Sequence, residues 1–387
     1  MEWGADVSSH LVSLQDEKSG FKLLPSEQQS RDGQWIEMLL KLPSQDLVRN
    51  VQTRWALLRA GEVTLPTTIN ETEYENSYVC STYSGCVLYP QSEVKKIDNA
   101  LVQTSILALV KGMGPPLRAA RINRVVCVNN WLLSTNLYST FDLDLVPELT
   151  KLLTFRFPKH AIAFRSLNDV SNGPLIERLS EEGFLLAPSR QVYFFDGKSG
   201  EFLSKQNNTW DQKLLKTTDY TVVPHDELNA SESDRIEELY RLLYVDKYSL
   251  HNPQFTSLML NECRSRRLLT MWGLRNADGR LDGIVGTFDR DGVMTAPVVG
   301  YDTALPKELG LYRILMAIVL REASRLKLRL NLSSGASHFK RIRGGVPCIE
   351  YTAVYCRHLP LPSRLAWLAL AGLTRYVGEP ILRKYQL

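Results

Sequence analysis

Along the second half of the chain the apolar positions change period in a readable order. YTVVP at Tyr220 to Pro224 reads as a short strand. SESDRIEELYRLLYVDKYS behind it carries Ile236, Leu239, Leu242 and Leu243 at helical spacing, after Ser and Asp residues suited to a helix start. A second short helix is expected after Asn252-Pro253. RLLTMWGLR, RLDGIVGTFD and VMTAPVVGYD then have strand character, and NADG and DRDG between them supply glycines that accept the positive φ of hairpin turns. An antiparallel meander is predicted. Gly310 to Leu326 follows as a long helix with Leu311, Ile314, Leu315, Ile318 and Val319 on one stripe. LKLRLNL from Lys327 alternates as a strand does, SHFKRIR is a short basic helix closed by Gly344-Gly345, and Ile349 to Cys356 is the last strand.

The first half is less regular. Trp35 to Leu42 and Leu47 to Ala60 look helical, the Thr/Ser/Tyr-rich stretch from Gly61 to Cys86 looks irregular or strand-rich, and Ile97 to Val110 is a better amphipathic helix. RVVCVNN at Arg124 to Asn130, HAIAFRS, and QVYFFD at Gln191 to Asp196 read as strands. Between them lie helices from Leu145, with Pro147 in a tolerated first-turn position, and from Asn172-Gly173-Pro174 to Gly183. That β-α-β-α-β order recurs near the C-terminus and implies an internal duplication. Gly197 to Thr218 is polar and aperiodic, as a linker would be. The predicted division is therefore residues 1–205, a linker at 206–218, a second domain at 219–357 and an amphipathic helical tail at 358–387.

Composition narrows the class. At 387 residues, 44% hydrophobic and 23% charged, the chain is globular, and two domains or one fold used twice suit its length. MEWGADVSSH, with Glu2 and Asp6, has no apolar core for a secretory signal, and no apolar run approaches the ~20 residues that span a bilayer, so a cytoplasmic protein is expected. Six cysteines without CxxC spacing point to reduced thiols and no zinc site. The formal net charge of +4 is uneven: Tyr301 to Leu387 holds 14 Lys and Arg against 5 Asp and Glu. Such a cluster is either a solvated helix face or the seat of an anionic ligand.

KYSLHNPQFT at Lys247 to Thr256, PKELGLYRILM at Pro306 to Met316 and GASHFKRIRGGVPCIEYTAVY at Gly335 to Tyr355 carry a resemblance to the GNAT acyltransferase superfamily. Two such units in one chain resemble the Fem-type peptidoglycan aminoacyltransferases and their tandem-GNAT relatives. The resemblance spans about Tyr220 to Arg357, and the first half joins it by pattern alone. It implies an α/β (α+β) tandem GNAT-like fold: a mixed sheet with an antiparallel meander and flanking helices, pseudo-duplicated. Its implied activity is N-acyl transfer, in which an acyl or aminoacyl group moves from an activated donor to an amine acceptor in biosynthesis of a peptide-like or natural product.

The implied donor site centres on Val299, Gly300, Gly310, Leu311, Tyr312 and Arg313, because a helix start presents unpaired N–H groups to phosphate. GNAT enzymes use R-x-x-G-x-G/A there, whereas this chain keeps one glycine and has Tyr312 at the second small position. The departure favours aminoacyl-tRNA or an acyl carrier protein over acyl-coenzyme A as co-substrate, with no tightly bound cofactor and no metal. Asp302, at the end of the strand where the GNAT fold splays, is the acid-base candidate or else a turn aspartate. Tyr301 is either a donor to the leaving group or core. The resemblance places Lys340 beside the developing oxyanion. Arg341 and Arg343 suit phosphate or an RNA backbone, or a solvated face. His338 is a base or a structural residue, and Ser333 a donor-side hydrogen-bonding group. Lys247, Tyr248 and Asn252 fall on the implied acceptor side. The C-terminal tail suits a membrane surface, the protein's own body, or a carrier or RNA contact. An ordinary acyl-coenzyme A N-acetyltransferase and a non-catalytic GNAT-fold binding protein are the alternatives.

Overall fold

The computed structural model describes residues 11–97 and 99–385, so Glu2 and Asp6 lie outside the described residues. Its strands are β1 (Val12–Asp16), β2 (Arg54–Ala60), β3 (Val63–Asn70), β4 (Val125–Val128), β5 (Ala161–Leu167), β6 (Leu185–Asp196), β7 (Thr221–Pro224), β8 (Thr270–Arg275), β9 (Leu281–Arg290), β10 (Val293–Tyr301), β11 (Arg329–Asn331) and β12 (Val346–Tyr355).

Two compact units divide the chain, and both are discontinuous. The first takes residues up to 22, then 52–190 and 349–385; the second takes 23–51 and 191–348. In the first, β1 through β4 pair antiparallel in succession, β4 pairs parallel with β5, and β12 closes antiparallel on β5. In the second, β7 through β10 pair antiparallel, β10 pairs parallel with β11, and β6 closes antiparallel on β11. The repeated pairing order is the predicted pseudo-duplication, and the fold is a mixed α/β one with flanking helices. The closing strand of each unit comes from the other half of the chain, which corrects the predicted boundaries at 205 and 357.

Two further expectations fail locally. Leu47 to Ala60 is not one helix: after the short helix Ser44–Leu47, β2 begins at Arg54 and turns into β3 at Gly61, whose φ of 57° suits a tight hairpin. Residues 206–218 are not a linker. They form the helix Gln206–Thr217, which the aperiodic sequence conceals because it is anchored by few groups: buried Leu215 and Asp211, and Gln212, whose side-chain amide donates to the Ala317 carbonyl at 2.9 Å.

The second unit's core forms where the apolar stripe of helix Leu311–Arg325 meets the sheet. Ile314, Leu315, Ile318 and Val319 are buried with Val285, Leu330 and Tyr193. Each such side chain removed from water contributes about 1.5–3 kcal/mol. On the neighbouring helix, Ser233–Arg241, the backbone crosses β10 so closely that a Cβ on Gly300 would lie 2.5 Å from the Leu239 carbonyl carbon and the Tyr240 nitrogen.

Candidate active site

The parallel pair in the second unit is short. β10 pairs with β11 only from Val293 to Thr295, while its pairing with β9 resumes at Val298 and runs on to Tyr301. The register break between Thr295 and Val298 contains Pro297, which has no N–H to donate to a ladder. Beyond it β10 has no ladder partner on its β11 side among the described residues. The result is a fork in which one edge of β10, from Val298 to Tyr301, is left out of the ladder with β11. In the first unit the corresponding parallel pair, β4 with β5, is joined over all of Val125–Val128.

Side chains from four elements gather beyond the open end of the fork. Tyr301 ends β10, Tyr312 lies in the first turn of helix Leu311–Arg325, Phe339 lies in helix Ser337–Arg341, and Tyr244 lies within, and Tyr248 just after, a wide π-type turn at Leu242–Asp246. The Tyr312 ring is 6.1 Å from Tyr301 and 4.9 Å from Phe339. Tyr244 is 6.3 Å from Tyr248, and the Lys247 ammonium lies 5.8 and 5.9 Å from the Tyr248 and Tyr301 rings, donating to the Tyr301 hydroxyl at 3.4 Å. Burial, reinforced by the nearby Tyr244, Tyr248 and Tyr301 hydroxyls, drives Tyr312 well above its usual range. Tyr312 therefore stays protonated and can donate a hydrogen bond at neutral pH.

Gly310 caps the N-terminus of the long helix at φ 67°, with no side-chain cap on the first turn. That helix end combines unpaired N–H groups with the positive end of the helix dipole beside Tyr312. The sequence thus brings Tyr301, Tyr312, Gly310, Lys247 and Tyr248 to one place. It gave no reason to single out Phe339 or Tyr244. Phe339 stands in the motif already marked, one position before Lys340, and Tyr244 lies one helical turn before Tyr248.

The other candidates have different roles. Lys340 is buried, and its ammonium donates to the carbonyls of Leu332 at 2.7 Å, Ser333 at 3.2 Å and Ser334 at 2.8 Å. It holds the loop after β11 rather than facing an oxyanion site, and Ser333 serves that loop with its carbonyl, from the left-handed region at φ 57°. Asp302 is buried too. Arg235 donates to it at 2.8 Å, Arg280 at 3.2 Å and the Ala304 N–H at 3.1 Å. Burial opposes its ionisation, but these donors outweigh burial and hold the carboxyl below the usual range, which makes it a weak proton acceptor.

Arg313 and Arg343 share Asp211, each Nε 2.6 Å from a different carboxylate oxygen. Arg343 is also stacked 3.4 Å over the Phe339 ring, so it supports the site from behind instead of gripping phosphate. Arg341 and His338 are exposed on the short helix. Asn252 is buried, donating to the Tyr244 carbonyl at 2.7 Å and accepting from Asn50 through its own carbonyl at 2.8 Å, which fixes the loop rather than an acceptor. Val299 and Leu311 point into the core, and Gly300 makes room for the crossing helix. Among the described residues no group of His, Cys, Asp and Glu could hold a metal ion, and no helix is long and apolar enough to cross a membrane.

No protein-family model and no curated protein matches the sequence. Solved structures similar to the chain include the C-terminal domain (DUF2156) of a protein named as a lysylphosphatidylglycerol synthetase from Agrobacterium fabrum. That match has 13% identity over 65% of this chain and 82% of that one, with a TM-score of 0.47. L-PGS from Bacillus licheniformis is similar at 12% identity, over 64% of this chain and 82% of its own, with a TM-score of 0.46. FemX is similar at 8% identity, over 58% and 78%, with a TM-score of 0.43. Likenesses of this extent assign no activity to the chain.

Proposed function

We propose that the second unit is an amide-forming transferase, moving an acyl or aminoacyl group from an activated donor to an amine. The observation that carries this reading is the fork: β10 leaves β11 after Thr295, and its free edge ends at a cluster of tyrosine hydroxyls beside an uncapped helix start. The free edge offers backbone hydrogen bonds to an extended acyl chain, and the helix start offers N–H groups to a phosphate of the donor. The amine enters past Lys247 and Tyr248. Its nitrogen attacks the carbonyl carbon, a C–N bond forms, and the ester or thioester bond breaks. The proton lost by the amine goes to the departing oxygen or sulfur, with the Tyr301 hydroxyl beside Lys247 positioned to relay it. Asp302 and Lys340 take no part in proton transfer or charge stabilisation.

Aminoacyl-tRNA, an acyl carrier protein and acyl-coenzyme A all present phosphate near an activated carbonyl. Tyr312, where a small residue would open the turn, favours the two macromolecular donors. The test is to incubate the full chain with each donor class and a mixture of amines and to identify amide products by mass spectrometry. Product from one donor class supports the reading and names the donor; a folded chain that makes no amide and binds none of the three donors overturns it.

A further inference from the structure

The helix Leu361–Leu373, in the first unit, is apolar on two opposite faces. One face packs into the core through Trp367, Leu370 and Ala371. Leu361, Leu365 and Leu368 recur at spacings of four and three, fall within one narrow arc of the opposite face, and are 64%, 53% and 42% exposed. A helix apolar all round is ordinarily buried all round. Continuing through Thr374–Gly378 and Glu379–Tyr385, the same segment exposes Tyr376 and Val377. Helix Ala100–Ala119 repeats the pattern: Val110 and Leu117 share a core with Trp367 and Leu370, while Leu101 and Leu109 stay exposed.

The charges on these two segments are mostly basic, although Arg383 pairs with Glu379 and Arg118 with Glu75. Residues 361–385 hold Arg364, Arg375, Arg383 and Lys384 against Glu379 alone, and helix Ala100–Ala119 holds Lys111 and Arg118 with no acidic residue. On the helix wheel Arg364 and Arg375 border the Leu361/Leu365/Leu368 stripe. An apolar stripe edged by cations is complementary to a surface that is anionic outside and hydrocarbon within.

We infer that the exposed face of Leu361–Tyr385 seats on an anionic phospholipid surface, lying in the interface without crossing it. The leucines enter the acyl boundary while Arg364 and Arg375 stay at headgroup level. This contact is independent of the activity proposed for the second unit.

The experiment is vesicle co-sedimentation of the full chain with phosphatidylcholine vesicles, and with vesicles in which a third of the lipid is phosphatidylglycerol, at low and high salt. Binding should be confined to the anionic vesicles and weaken with salt. Each arginine removed should lower the binding constant about fivefold, so R364A/R375A should lose about 30-fold. L365E/L368E, which alters exposed positions and should leave the unfolding temperature unchanged, should abolish sedimentation. The inference is overturned if the full chain sediments with neither vesicle or equally with both, or if the leucine variant binds as the parent does. It is equally overturned if light scattering shows a dimer that L365E/L368E dissociates while no vesicle is bound, since a second copy of the chain would then cover the face.

Discussion

Replacing Asp211 by Asn should destabilise the second unit far more than its place in a polar helix suggests. The Asp211 side chain is 1% exposed, and its two oxygens face the Nε atoms of Arg313 and Arg343, each at 2.6 Å. The two arginines differ in their alternatives: the Arg313 side chain is 41% exposed and can turn to water, whereas that of Arg343 is 5% exposed and cannot. Removing one member of a buried pair costs about 3–5 kcal/mol, because the remaining charge stays desolvated. Losing an exposed pair costs about 0–1 kcal/mol. D211N should therefore cost about 3–5 kcal/mol and R313A less than about 1 kcal/mol, while D211N/R343M should recover much of the loss by removing the stranded charge. In thermal unfolding of the full chain, a loss of 3 kcal/mol lowers the Tm of a domain this size by about 6–12 °C. The reasoning fails if D211N unfolds within about 1 kcal/mol of the parent, or if R313A costs as much as D211N.

Asp302 carries a pH signature. Its folded carboxyl lies below the unfolded value, so its stabilising contribution is complete above about pH 4 and is lost as pH falls through the depressed folded value. D302N should be less stable than the parent at neutral pH, with the gap narrowing as the solution is acidified below about pH 4; a gap that persists or widens in acid contradicts the assigned ion pairs. Two glycines should respond differently to alanine. Gly300→Ala meets helix backbone at 2.5 Å and should displace the crossing helix, lowering stability and activity together. Gly310→Ala meets only the end of the Leu214 side chain at 2.7 Å, so its left-handed φ should dominate at about 1–2 kcal/mol, and equal losses in the two variants would count against this packing. In amide formation, Y301F should lower turnover by about 10²-fold or more with donor affinity little changed, and unchanged turnover removes Tyr301 from the proton path.

How much of this was legible depended on whether a feature is local. The meander β8–β9–β10 could be read because Asp278-Gly279 and Asp291-Gly292 announce their turns, and the glycines indeed sit at φ 81° and 80°. RWALLRA fits a helical period as well as a strand period, and it is pairing with β1 and β3 that makes it β2. Helix Gln206–Thr217 escaped because much of its hold on the unit is polar, above all through Asp211 to arginines 102 and 132 positions away. The same distance effect misled the reading of charge. Lys340 and Asp302 stand where reactive groups would be useful, but the Leu332–Ser334 carbonyls and the Arg235 and Arg280 guanidiniums that occupy them cannot be inferred from residue spacing. Part of the C-terminal basic surplus belongs to the first unit, on Leu361–Tyr385, and only part to the candidate active site. The splay of β10 had one local sign, Pro297 inside an otherwise regular strand.

Hydrogen exchange of the full chain, with and without each donor, tests the central claim most directly, because it asks where the donor lies without depending on turnover. Amides in 296–301, along the free edge of β10, and in 311–313, at the uncapped helix start, should be protected by the donor that supports amide formation. Protection confined to the first unit, or binding that leaves both segments exchanging as in the free chain, would contradict the assignment of the fork as the site of transfer.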